Sequence, residues 1–308
     1  MAKFYRRITG DIPKHVVLAI GIFDGVHLGH LEILKRVREK AAEHKVNTLL
    51  MTFEPHPEKV LRGIDSLKNI TPLNEKLKIL ENEVDIVLCL NFTREFSRQF
   101  PEEFVREYLW KPLLPRAVFV GKNFTFGRDA AGTPDILRKL GKEYGFEVNM
   151  VEPVEMNGVI VSSSSIRELV SEGDIDTANT LLGKRFFING IVVKGKQRKI
   201  GFPTANLRTE WELIPANGVY AGVVFMNSNS YPGVVSIGTS PTFGKNELTI
   251  EVHILDFNEN IYGKELRVEF IKKLREEIRF NNVEELKKQI EIDIRNTKKL
   301  LEISGVRR

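Results

Sequence analysis

The stretch from Gly21 to His30, which reads GIFDGVHLGH, constrains the fold of this chain more than any other. It follows an apolar run over 16–20 and leads into a segment whose apolar residues recur at helical spacing. The pattern predicts a buried strand, a tight turn, and a helix over about 28–44. Such a helix start favours anion binding, because its first N–H groups are unpaired and carry the positive end of the peptide dipole.

Two histidines in this stretch are candidate catalytic residues. His27 and His30 are three positions apart, so they lie on one face of the first helical turn. Gly25 and Gly29 lack a Cβ, and we expect them to let phosphates approach the backbone. Two imidazoles beside a phosphate share the negative charge that develops on it during displacement. The alternative interpretation is a strand-to-helix turn whose histidines are merely exposed.

Strands and helices alternate through the first part of the chain. Apolar runs predict further strands at 46–53, 85–92, 117–120 and 146–154, and Thr-Pro or Pro residues predict helix starts at 71, 101 and 133. This alternation predicts a doubly wound parallel sheet, which binds ligands beyond the carboxyl ends of its strands. Asn123 and Phe126 follow one of these strands, where they are candidates to bind a base or ribose and a flat ring.

The pattern changes near residue 184. Short strands bounded by glycine, proline and asparagine follow, at 187–193, 218–224, 233–238, 248–255 and 266–274, and a final helix is predicted after Asn282. The spacing predicts an antiparallel barrel with a C-terminal helix. We therefore expect two domains, 1–184 and 185–308, as the length of 308 residues also suggests.

A second set of polar residues falls in the predicted barrel. Thr204 and Asn206 alternate with Ala205 along an extended segment, so their oxygens point the same way, as Mg²⁺ coordination requires. Glu251 alternates with apolar neighbours, and a carboxylate at the mouth of a barrel can accept a proton from an attacking alcohol. A plain strand end and a solvated glutamate are the alternatives.

Composition bounds the remaining classes. A hydrophobic content of 42% and a charged content of 28% are typical of a soluble globular protein. No apolar run approaches the ~18 residues that cross a bilayer, and no secretory signal is recognised. The single cysteine, Cys89, lies in a predicted buried strand. We therefore expect a cytoplasmic protein. The net charge of +5 leaves a nucleic-acid-binding barrel as an alternative, although basic and acidic residues are interleaved throughout.

Two motifs carry a family resemblance. The Gly21–His30 stretch resembles the His-x-Gly-His signature of nucleotidylyltransferases, in the form found in bacterial bifunctional riboflavin kinase/FMN adenylyltransferases, and Pro203–Asn206 resembles the Pro-Thr-Ala-Asn element of riboflavin kinases. The resemblance implies a Rossmann-like nucleotidylyltransferase domain followed by an all-β riboflavin-kinase barrel. It also implies riboflavin, FMN, FAD and ATP as substrates or products, Mg²⁺ with ATP, and no nucleic-acid or membrane partner.

The resemblance also assigns roles to individual residues. It implies catalysis by His27, His30 and Glu251. The nucleotide-binding residues that it implies are Gly21, Phe23, Asp24, Gly25, Asn123, Ser164 and Arg167. Flavin contacts are implied for Phe126 and Arg275, and contact with the Mg-ATP site for Thr204 and Asn206.

The chain departs from the family pattern at two places. Ser165 stands where the family has the first of two arginines, although it is also predicted to form a helix-capping box with Glu168. Gln197 stands where the family has a glycine in a phosphate-cradling loop. Retention of only one of the two activities is therefore an alternative hypothesis. No Gly-x-x-x-x-Gly-Lys-Ser/Thr motif occurs, which argues against a P-loop kinase.

Overall fold

The computed structural model describes residues 1–195, 201–242 and 245–303. The chain forms two compact units, Met1–Ser163 and a second that begins at Ser164. The units thus divide earlier than the predicted boundary near 184, because the helices over 163–182 belong with the barrel. Where the boundary between two activities falls stays a prediction.

The first unit is built on a parallel sheet. Within its described residues six strands lie in the order β1-β4-β3-β2-β5-β6, and all neighbours are parallel. The strands are β1 Lys3–Tyr5, β2 Val17–Ile20, β3 Thr48–Glu54, β4 Ile86–Asn91, β5 Ala117–Gly121 and β6 Glu147–Val151. A small antiparallel hairpin follows, with β7 Glu155–Met156 and β8 Val159–Ile160.

Helices connect these strands. They are α1 Leu28–His44, α2 Pro57–Arg62, α3 Leu73–Leu80, α4 Arg94–Ser97, α5 Pro101–Phe104, α6 Lys111–Leu113 and α7 Pro134–Tyr144. The prediction of one helix from Pro101 was incomplete, because a π-helical turn at Val105–Trp110 separates α5 from α6. Short 3₁₀ turns lie at Ile64–Ser66 and Arg128–Ala130.

Both faces of the sheet are covered. Successive strand residues point to opposite faces, so Leu18 and Leu49 join one hydrophobic cluster while Val17 and Leu50 join the other. Helix α1 contributes Leu34, Val37 and Ala41 to the second cluster. Cys89 of β4 is buried, as predicted, and forms no disulfide, and burial raises the pKa of its thiol. The doubly wound prediction is confirmed.

The second unit contains a closed antiparallel barrel. Its six strands in the described part of the chain follow the order β10-β13-β12-β11-β14-β9, and β9 pairs with β10 to close the ring. They are β9 Phe187–Val193, β10 Ala205–Arg208, β11 Gly218–Met226, β12 Asn229–Thr242, β13 Lys245–Ile254 and β14 Glu265–Arg275. Inward side chains such as Val224, Ile237 and Val268 are fully buried. The predicted barrel is confirmed.

Three helices complete this unit, α8 Ser163–Glu172, α9 Ile175–Leu182 and α10 Val283–Ile303. The predicted capping role of Ser165 was wrong, because α8 begins two residues earlier at Ser163. Asn282 does cap α10, accepting the N–H of Glu285 at 2.9 Å. Over the described residues, no helix combines the length and apolar character needed to cross a bilayer.

Candidate active sites

The two histidines of the signature hold each other at the start of α1. His27 is the N-cap, and its Nδ1 accepts the N–H of His30, while Nδ1 of His30 accepts the N–H of His27, both at 3.4 Å. Their rings stack with centroids 3.6 Å apart. The side chains therefore satisfy two of the N–H groups that a helix start leaves unpaired.

The two histidine rings differ in how far they are buried. His30 is half-buried, whereas only 5% of His27 is exposed. We expected both imidazoles to be open at the mouth of the fold, and for His27 that expectation was wrong. The reason is local, since the ring of His27 folds back over the helix start to cap it. Gly29 permits this, because a Cβ there would lie 3.2 Å from the ring.

Other signature residues organise the turn itself. The carboxylate of Asp24 is buried and accepts the N–H groups of Ile70 at 3.0 Å and Thr71 at 3.2 Å. Phe23 lies in the hydrophobic core and stacks on His30 with centroids 4.5 Å apart. Gly25 has a φ of +82°, and a Cβ there would lie 3.0 Å from Ile70. Protein atoms thus fill the space that we expected phosphates to use at Gly25.

A large cavity opens at the carboxyl ends of the strands. It has a volume of about 910 Å³. Its wall includes residues that follow β2, β3, β4 and β5, among them Gly21, His56, Phe92 and Asn123. The prediction that ligands bind beyond the carboxyl ends of the strands places the loops after β2, β3 and β5 on this side of the sheet, as observed. Among the described residues, the wall takes in Gly21 and Ile22 of the signature but neither histidine.

The cavity combines an aromatic wall with polar groups. Its phenylalanines are Phe53, Phe92, Phe96, Phe104, Phe124 and Phe126. Phe126 is 8% exposed and stacks with Phe124 at 5.5 Å, and Asn123 is exposed beside them. Gln99 also lines the cavity. Its Nε2 donates to the hydroxyl of Tyr108 at 3.1 Å, whereas its buried Oε1 has no hydrogen-bond partner within the described chain.

Ser164 and Arg167 lie one turn apart in α8. Ser164 is exposed and Arg167 is half-buried. Packing assigns this helix to the second unit. Their part in binding the triphosphate stays a prediction.

The barrel brings three predicted residues together. Asn206 of β10 pairs with Glu251 of β13, and the hydroxyl of Thr204 donates to Oε2 of Glu251 at 3.4 Å. Glu251 is half-buried, while its neighbours Ile250 and Val252 face the core, as the alternation predicted. The cluster presents a hydroxyl, an amide oxygen and a carboxylate on one face of the barrel.

A close backbone approach accompanies this cluster. A Cβ on Gly195 would overlap the carboxamide of Asn206, so the backbone at 195 lies very close to this side chain. The segment that contains Gln197 lies in 196–200, outside the described residues. The departure from the family pattern at Gln197 therefore stays a sequence observation.

A smaller cavity of about 270 Å³ adjoins Thr204. Pro203, Ala205 and Val252 line it, together with the loop over 257–262. His253 lies nearby, with Nδ1 2.8 Å from the carbonyl of Pro203. Thr204 therefore lies between a partly apolar cavity and the carboxylate of Glu251.

Arg275 is placed differently from its predicted flavin contact. Its guanidinium makes a bidentate ion pair with Asp293 of α10 at 2.9–3.2 Å, and Asp293 is buried. Its Nη1 also donates to the carbonyl of Glu276 at 3.0 Å. These contacts make Arg275 a link between the barrel and α10, and its contact with flavin stays a prediction.

Sequence reasoning overlooked two polar residues of the first unit, Gln99 and Lys76. Lys76 is 3% exposed and lies on the same face of α3 as Leu73, Leu77 and Leu80. Lys76 lies three residues after Leu73 and four residues before Leu80, so its place within this apolar stripe was the available sequence signal. For Gln99 we find no sequence signal.

Comparison with known proteins identifies both units. Residues 10–165 match the family model for FAD synthetase, and residues 182–301 match the family model for riboflavin kinase. The chain is therefore a flavin-nucleotide-forming transferase with one domain for each activity.

Relatives of known name span nearly the whole chain. A bifunctional riboflavin kinase/FMN adenylyltransferase from Escherichia coli (strain K12) is 38% identical over 281 residues, covering 90% of each chain. One from Listeria monocytogenes is 38% identical, covering 94% of this chain and 92% of that protein. This chain belongs to the family of bifunctional riboflavin kinase/FMN adenylyltransferases.

A solved structure has the same fold. It is that of a Streptococcus pneumoniae protein named as a macrolide-efflux protein, with a TM-score of 0.88 and 31% identity. The match covers 96% of this chain and 98% of that one. The two chains share the architecture, although the name of that protein refers to a different activity.

Proposed function

We propose that the paired histidines and the Thr204–Asn206–Glu251 cluster carry the two activities of this family. In this proposal the barrel unit phosphorylates riboflavin with ATP to give FMN. The first unit then transfers AMP from a second ATP to FMN, giving FAD and pyrophosphate. The observation that carries the proposal is that each unit gathers its predicted catalytic groups beside a cavity or a helix start.

In the barrel unit, Glu251 is the general base. Its carboxylate accepts the proton of the terminal ribityl hydroxyl as that oxygen attacks the γ-phosphorus, and ADP leaves. The hydrogen bond from Thr204 orients the carboxylate. The cavity beside Thr204 is partly apolar and suits the flat base of ATP.

The same cluster fits a magnesium ion. Mg²⁺ prefers hard oxygen ligands and usually combines one or two protein oxygens with substrate phosphates. The oxygens of Thr204 and Asn206 are of this kind. When bound, the ion neutralises charge on the phosphates. Thr204 and Asn206 would hold it.

In the first unit, the histidines act on the α-phosphate of ATP. A phosphate oxygen of FMN attacks that phosphorus, the bond to the bridging oxygen breaks, and pyrophosphate leaves. His27 and His30 stabilise the charge that develops, assisted by the start of α1. The aromatic cavity suits the isoalloxazine ring, with Phe126 in its wall and Asn123 near the nucleotide. We also propose a cytoplasmic location, where a free thiol stays reduced.

The proposal is tested by separating the two products. His27→Asn keeps an oxygen that caps α1 but removes the imidazole. We expect it to lower kcat for FAD formation from FMN and ATP by about 10²- to 10³-fold. FMN formation from riboflavin should be unchanged, as followed by chromatography.

Glu251→Gln provides the reciprocal test. It keeps the size of the side chain and a hydrogen-bond acceptor for Thr204 but removes the base. FMN formation should fall by about 10²- to 10⁴-fold, whereas FAD formation from supplied FMN should not change. Loss of both products in either variant contradicts this division of roles. Wild-type protein that forms only one product supports the single-activity alternative.

A further inference from the structure

A lysine ammonium lies beneath the signature turn of the first unit. Lys76 of α3 is 3% exposed, on the face that packs into the protein. Lysines are almost never buried to this degree without a specific partner, because desolvation of an ammonium is costly. The partner therefore indicates what the residue does.

Its hydrogen-bond partners are one backbone carbonyl and one hydroxyl. Nζ of Lys76 donates to the carbonyl oxygen of Ile22 at 3.1 Å. The hydroxyl of Thr52, on β3, donates to the same oxygen at 2.9 Å and lies 3.5 Å from Nζ. Two side chains from different elements thus fix one carbonyl, and they also contact each other.

The carbonyl lies at a sensitive point of the chain. Ile22 lines the large cavity and precedes Phe23, whose φ is +56°. Val26 follows with a φ of +42°, which is unusual for a β-branched residue. Backbone in such conformations persists only where the surroundings hold it. The hydrogen bonds to the Ile22 carbonyl are one of the contacts that hold this backbone in place.

Charged groups close to Lys76 affect its pKa. Burial lowers the pKa of Lys76, whereas the carboxylates of Asp24 and Glu54 and the thiol of Cys89 oppose that shift, and Arg6 adds to it. Asp24 belongs to the signature turn as well. The lysine therefore faces the turn through both a hydrogen bond and an electrostatic attraction.

We propose that Lys76 is a positioning residue for adenylyl transfer. It fixes the carbonyl of Ile22, together with Thr52, and thereby holds the turn that leads into His27 and His30. It is buried beneath the turn and acts through the backbone. The proposal rests on the proposed function of the first unit.

The test is a double-mutant cycle on the intact chain. Lys76→Met removes the charge and the donor, and Thr52→Val removes the hydroxyl at constant shape. For FAD formation from FMN and ATP, we expect Lys76→Met to lower kcat by about 10- to 100-fold, with a smaller change in KM, because a misplaced turn affects the transition state most. Thr52→Val should lower kcat by about 3- to 10-fold. The double variant should resemble Lys76→Met within about twofold, because both act through one carbonyl.

Two controls separate positioning from general damage. Lys78→Met, on the same helix, removes an exposed lysine paired with Glu75 and should leave kcat unchanged. FMN formation by the barrel unit, measured in the same preparation, normalises the concentration of active enzyme. If wild-type protein forms no FAD at all, the proposed function fails rather than this inference.

The remaining outcomes decide the inference. Folded Lys76→Met with kcat within about twofold of wild type overturns it. Effects of the two single variants that multiply in the double variant also overturn it, because they would then act independently. Should Lys76→Met fail to fold the first unit, Thr52→Val decides alone. A lower kcat at an unchanged melting temperature supports the inference, and an unchanged kcat overturns it.

Discussion

Gln99 shows how a single side chain can carry specificity in an aromatic cavity. Six phenylalanines offer stacking surface to any flat ring, and such contacts discriminate poorly between rings. The buried Oε1 of Gln99 is an acceptor without a partner in the described chain. Buried polar atoms are normally hydrogen-bonded, so an unpaired one beside a cavity indicates a ligand donor. The flavin ring offers such a donor at N3–H, between two carbonyls.

We therefore expect Gln99 to recognise the polar edge of the flavin. Gln99→Leu should lower kcat/KM for FMN in FAD formation by about 10-fold, the value of one buried hydrogen bond. Wild-type protein should discriminate against N3-methyl-FMN, and the variant should not, as measured by the ratio of kcat/KM for the two flavins. An unchanged ratio in the variant would exclude Gln99 from this role.

At the scale of elements, α10 is attached to the barrel by charge as well as by apolar contact. Asp293 of α10 pairs with Arg275 at the end of β14, and Ile294 packs with Leu274 against a small cluster that contains Val219. A second pair, Lys298 with Asp256, joins α10 to the end of β13 but lies exposed. The two pairs differ chiefly in burial, which decides their energetic weight.

Removing one partner from each pair tests this difference. Asp293→Ala should lower the free energy of unfolding of the barrel unit by about 3 kcal/mol, because it leaves a largely buried guanidinium without its carboxylate. Lys298→Ala should lower the same free energy of unfolding by only about 0–1 kcal/mol. Urea unfolding followed by fluorescence of Trp211 in a Trp110→Phe background reports the barrel unit. Equal losses in the two variants would show that burial does not set their contributions.

At the scale of the whole molecule, the compact units do not divide where the composition changes. Helix α9 lies before residue 184, yet its Asn179 donates to the carbonyl of Phe270 at 2.9 Å and accepts the N–H of Phe186 at 2.6 Å. Ile175, Leu181 and Leu182 of the same helix are buried. The barrel unit therefore includes these helices as part of its core.

Fragments of the chain test this division. A fragment over 162–308 should fold cooperatively and form FMN but no FAD. A fragment over 185–308, which lacks α8 and α9, should melt at least about 10 °C lower, because it exposes the apolar surface that α9 covers. Equal melting temperatures by circular dichroism would restore the boundary near 184.

The fold and the chemistry differ in how far the sequence specified them. Helix α1 and strand β9 occupy their predicted residues, and both motifs lie where the predicted architecture requires. Residues that serve the turn from a distance were not predicted, because Lys76 and Thr52 are 54 and 30 positions from the carbonyl that they share. Asp24 and Phe23 were predicted to contact a nucleotide, which stays a prediction, and packing shows that both also hold the turn.

Periodicity and local motifs are properties of neighbouring residues, so the sequence by itself determined the two architectures and the chemical groups available to each unit. Which groups face a cavity, which cap a helix and which form a buried pair depends on residues far apart in the chain. Only the tertiary structure decided that His27 is a buried cap and that Arg275 binds Asp293. Only packing brings such distant side chains within hydrogen-bonding distance.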